Sequence, residues 1–129
     1  MSVVNDVLLQ VVNLMQQTNP YSAIVIGAMP AENGIACQIS TGAPVSTFLD
    51  KGMAYQFNLV LNGKHSEQQT VSETLNNIHH ALVKARSYPS TEEYQITNIE
   101  TISAPAYISR EENKQYLYGS SLRVSFYYR

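Results

Sequence analysis

The chain has no tryptophan, a single cysteine and few charges. Each shortage excludes something. Cys37 alone cannot form an intrachain disulfide, which fits a reducing compartment. Charged residues make up 14% of the chain, against the usual quarter or so. With a net charge of −2 and no basic stripe, sequence-independent DNA binding through phosphate contacts is not expected. The six glycines never fall in G-x-G-x-x-G or a P-loop, so no phosphate cradle is expected. No H-E-x-x-H and no C-x-x-C is present. The apolar runs are far too short to cross a membrane. Asn5 and Asp6 interrupt the opening apolar residues, so no secretory signal is expected. The expectation is a soluble protein made in a cytoplasm.

What is present is a globular composition. Hydrophobic residues are 44% of 129, enough for one core without disulfides or metals. Residues 1–129 therefore read as one domain. The surface must be covered by Ser, Thr, Asn, Gln and Tyr. Few ions would have to be stripped of water for such a surface to meet another protein.

Val3, Val4, Val7, Leu8, Val11, Val12 and Met15 keep helical spacing, with Ser2 as N-cap and Asn19-Pro20 as the stop. Ala23 to Ala28 is a continuous apolar run and reads as a strand buried on both faces, central in its sheet. Ile35, Cys37 and Ile39 alternate with polar residues, so this strand is expected to pair with the previous one as a hairpin. Residues 42–53 read as a long loop. Tyr55, Phe57, Leu59 and Leu61 form the next strand. Thr70-Val71-Ser72-Glu73 has the form of a capping box opening a second helix with Val71, Leu75, Ile78 and Leu82 inward. Ile96, Ile99 and Ile102 lie three apart, which needs a bulge to fit a pleat. Pro105 to Lys114 reads as a loop. Tyr116 to Tyr128 alternates most clearly, and that strand carries the chain to Arg129. The order αβββαββ predicts a single α+β domain with a mostly antiparallel sheet, two helices packed on one face, and a second face lined by Gln, Asn, Ser and some Tyr.

Chemistry is sparse. His79 and His80 diverge by about 100° on a helix and do not share a metal. One is expected to be exposed and the other to border the core. Cys37 lies on an apolar parity, where cysteine is an inert small hydrophobe. Glu92-Glu93 and Glu111-Glu112 read as solvated surface. No catalytic, cofactor or metal residues are assigned. Two alternatives stand beside this reading. One is a small hydrolase or transferase using His79 or His80 with Cys37 or a carboxylate. The other is a small-ligand binding module. Nine tyrosines, among them Tyr107, Tyr116, Tyr118, Tyr127 and Tyr128, suit strands and protein interfaces equally.

The element order, the opening helix with its Asn19-Pro20-Tyr21 break, and the closing strand Tyr116 to Arg129 carry a resemblance. Along its whole length the chain resembles the minor capsid, head–tail joining proteins of tailed phages and prophages of Gram-positive bacteria, of the tail-terminator type. That resemblance implies a non-enzymatic virion protein: a ring, hexameric in such proteins, on the last ring of the tail tube and docked to the head connector. DNA would pass through its lumen unread. Phe48, Leu49, Tyr107, Ile108 and Tyr127 are the candidate assembly contacts. The first four are isolated apolar residues in the two long loops, and the last lies on the closing strand.

Overall fold

A computed structural model of the chain describes residues 3–47 and 53–128. Ser2, Phe48 and Leu49 lie outside the described residues. Helix α1 spans Val3–Gln16, strand β1 Ile24–Ile26, β2 Gly34–Thr47, β3 Met53–His65, helix α2 Gln68–Lys84, β4 Tyr94–Arg110 and β5 Tyr116–Tyr128. The strands form one sheet in the order β1-β2-β3-β5-β4, antiparallel except for the β1–β2 pair.

Both helices bury their apolar stripes on one sheet face. Val7, Leu8, Val11, Val12 and Met15 of α1 join Val71, Leu75, Ile78 and Leu82 of α2 in one core with Ile35, Phe57, Leu59, Leu61, Leu122, Val124 and Phe126. α1 reaches from one edge of the sheet to the other. Its Gln10 hydrogen-bonds Tyr94 at the start of β4, and its Gln16 accepts from the Ile24 amide of β1 at 2.6 Å. Asn19 takes a left-handed conformation (φ 58°) just past the helix, a common helix stop, and the Thr18 hydroxyl satisfies the Met15 carbonyl at 2.7 Å.

The first hairpin is not formed. β1 pairs with β2 in parallel, Ile24 opposite Ile35 and Ile26 opposite Cys37, and it lies at the sheet edge with Val25 and Ile26 exposed. The Gln16 contact starts β1 beside the end of α1. A strand this short advances about 10 Å, which the link 27–33 easily retraces. Gly27, at φ 113°, donates to the Cys37 carbonyl and then turns the chain off the sheet. The Tyr21 hydroxyl lies 2.9 Å from the Gly34 carbonyl and 2.8 Å from that of Lys64, fastening this corner to β2 and β3.

The expected loops are shorter than the sequence suggested. β2 continues to Thr47 through Gly42 and Pro44, with register shifts after Ile39 and Pro44. β1 ends opposite Cys37, so beyond it β2 is an edge strand, where proline is tolerated. At Gly42 a Cβ would stand 3.1 Å from both Phe57 Cβ and the Tyr55 hydroxyl. β4 likewise runs on to Arg110, through Pro105, Tyr107 and Ile108. It uses 17 residues against 13 of β5, and four register shifts absorb the difference. The bulge at Thr97 puts Ile96 and Ile99 on the core face; a second, at Ile102, leaves that isoleucine exposed.

α2 also starts earlier than the capping box implied. Only residues 66 and 67 separate it from β3, so the helix begins at once, with Glu67 as an N-cap that makes no side-chain cap bond. Thr70 instead bonds the Glu67 carboxylate at 3.3 Å. Glu67→Ser would supply the missing acceptor, and thermal unfolding should report a gain of about 0.5–1 kcal/mol.

Candidate functional site

His79 follows Leu75 by four and precedes Leu82 by three, so it shares their inward face and is buried, while His80 is exposed. Its Nδ1 lies 2.8 Å from the Thr101 hydroxyl on β4 and its Nε2 lies 2.8 Å from the Ser120 hydroxyl on β5. Ser120 donates to the Leu61 carbonyl at 2.7 Å. Its oxygen must then accept from Nε2–H, which leaves Nδ1 to accept from Thr101. The result is a one-way chain from Thr101 through His79 and Ser120 to Leu61 that ties α2 to three strands. Burial lowers the imidazole pKa to about 4, so the ring is neutral near pH 7.

This geometry gives His79 neither Cys37 nor a carboxylate as a partner. Both nitrogens of His79 are taken by hydroxyls, and the Ser120 proton is committed to a carbonyl. β3 separates Cys37 on β2 from Ser120 on β5, and burial pushes the Cys37 thiol up to about 11, away from nucleophilic thiolate. Among the described residues no three His, Cys, Asp or Glu side chains converge as metal ligands. Sequence did offer one signal for the His79 partner: Ser120 is the polar residue on the core parity of β5.

The surface carries the rest. Tyr107 and Ile108, taken from sequence as loop contacts, sit on the exposed edge strand β4 and are 52% and 54% exposed. Tyr107 packs its ring against Tyr116 and Tyr118 at 6.5 and 6.0 Å. Arg110 lies 5.3 Å over the Tyr116 ring, and Gln68 donates to the Tyr118 hydroxyl at 2.7 Å. Ile108 occupies a bulge above Gly119, where a Cβ would stand 2.5 Å from its Cδ1. Tyr127 is half-buried further along β5 on the same sheet face as Gly119, in register with Ala54 and Gln95. The five candidate contacts therefore do not form one patch: Tyr107 and Ile108 adjoin, Tyr127 lies at the other end of β5, and Phe48 and Leu49 are outside the described residues.

The face away from the helices is polar, as expected, with Gln38, Gln56, Asn58, Asn62, Ser121 and Ser125 among its residues. Two ion pairs among the described residues involve this face. Lys64 meets Glu111 at 2.7 Å and Arg123 meets Glu100 at 3.2 Å. At one end of the sheet Asn33 accepts from the Ser66 amide while its own amide donates to Gln115.

No protein-family model and no curated protein matches the chain. Among solved structures, a chain of the virion of a native gene transfer agent particle is similar, with a TM-score of 0.57 and 11% identity. The likeness covers 90% of this chain and 83% of that one. It establishes a shared fold.

Proposed function

We propose that the chain is a non-enzymatic structural subunit of a phage-type virion, of the tail-terminator kind. In this reading it closes into a ring, hexameric by resemblance, that caps the tail tube and docks to the head connector. The observation that carries the reading is the near full-length fold likeness to a virion chain. The surface is in keeping with it. A ring needs two different patches that fit each other and close, and this molecule presents a long, bulged edge strand with exposed Ile102, Tyr107 and Ile108. The bulges interrupt the flat ladder that would invite open-ended strand addition. A slightly acidic net charge would also let DNA pass without gripping it.

Native mass spectrometry and sedimentation velocity at high concentration, with and without tail-tube protein, test this. A ring in solution or on the tube is the expected result. A chain that stays monomeric and ignores tube protein overturns the reading.

A further inference from the structure

Two surface grooves of opposite charge share no residue. The first runs along the seam between the C-terminal half of α2 and the outer edge of β4. Its two stretches, about 450 and 470 Å³, meet at Val83. Lys84 lines one and Arg86 the other, and neither stretch is lined by an acid. The second groove, about 590 Å³, lies between α1 and the turn leading into β4. Asp6, Glu92 and Glu93 line it and no Lys or Arg does.

Both sets of charges stand unbalanced. Among the described residues the ion pairs are Lys64–Glu111 and Arg123–Glu100, and none involves these five side chains. Asp6 and Glu93 both act on the Tyr94 hydroxyl, whose pKa is raised by burial first, then by Asp6 and least by Glu93, with the Gln10 hydrogen bond opposing them. The acidic tip is also held by backbone hydrogen bonds. The Thr91 oxygen accepts from the Glu93 and Tyr94 amides, and the Thr91 amide donates to the Tyr94 carbonyl. Each groove displays one exposed aliphatic side chain, Val83 at 39% and Leu9 at 47%. Opposite charge around a small apolar centre is the arrangement that steers and seats two proteins.

We propose that these grooves are the two halves of one contact between copies of this chain: the acidic Asp6/Glu92/Glu93 tip of one copy seats against the Lys84/Arg86 seam of the next. The inference rests on the ring reading above. Because the two halves differ, the contact is heterologous, as a closed ring requires.

Charge reversal tests it. Lys84→Glu with Arg86→Glu, and separately Glu92→Lys with Glu93→Lys, should each weaken self-association at least tenfold, while circular dichroism shows an unchanged fold. Mixing the two variants in equal amounts should restore assembly, since each reversed groove then meets a reversed tip. Association of the wild type should also weaken as salt rises. Three outcomes overturn the docking alone: a wild type that assembles while either variant assembles equally well, a mixture of folded variants that stays apart, or variants that lose only tube-protein binding. A wild type that never associates, even on tube protein, overturns the ring and this contact together.

Discussion

Phe126→Ala is expected to lower the free energy of unfolding by about 3–5 kcal/mol, the range for deleting a buried aromatic ring. Phe126 is 1% exposed on β5. Its ring packs against Tyr55 at 5.4 Å, Phe57 at 6.1 Å and Tyr128 at 5.8 Å. Tyr55 faces it from β3 and Ile96 from β4, both held in register by backbone ladders. The strands on either side of the ring belong to a continuous sheet and cannot close in without breaking hydrogen bonds. Phe126→Leu keeps most of the volume and should cost less than about 1.5 kcal/mol. Urea unfolding measures both, as a fall in midpoint at constant slope. An alanine variant within 1 kcal/mol or so of wild type would mean that the site collapses, contrary to this packing.

The parts of the fold legible in the sequence are those where one side of an element is buried along its whole length. The α1 stripe, the α2 stripe and the alternation of β5 each carry that signature, and each stripe is buried in the core. The spacing of Ile96, Ile99 and Ile102 demanded a bulge, and Thr97 provides it. What was not legible depends on neighbours. Ala23 to Ala28 reads as central because it is apolar throughout, yet only Ile24 of β1 is buried. Which strand ends up at an edge is decided by pairing, and a three-residue strand carries no sign of it. Pro105 and the charged residues after it break alternation, so the second half of β4 looked like a loop. An edge strand tolerates such breaks because only one side must pair.

The candidate contacts divide in the same way. Tyr107 and Ile108 are exposed, as a contact must be, but on a strand held by β5. The charged grooves were invisible in the sequence. Glu92-Glu93 read there as solvated surface, and only the packing of α1 beside the start of β4 brings Asp6 next to them. Lys84 and Arg86 read as the favourable cations of a helix end; the fold adds that no acid lies in the seam with them.

His79 makes a prediction about pH. In the folded chain its pKa is lowered from 6.5 to about 4 by burial. Above pH 6.5 both folded and unfolded chains hold a neutral ring, and this residue gives no pH dependence. As pH falls from 6.5 towards 4 the unfolded chain takes up a proton that the folded chain resists, so stability falls with pH. Below 4 both states are protonated and the loss is complete. At 1.36 kcal/mol per pH unit the full loss is about 3 kcal/mol, with about 2 kcal/mol of it between pH 7 and pH 5. The cost is desolvation and not a broken bond, because Thr101 can turn its hydroxyl to accept from a protonated Nδ1. His79→Gln removes the titration and should flatten this part of the profile. Urea midpoints of both proteins at pH 7 and pH 5 give the answer. Parallel profiles for the two would show that the imidazole keeps its ordinary proton affinity inside the fold, contrary to the desolvated site described here.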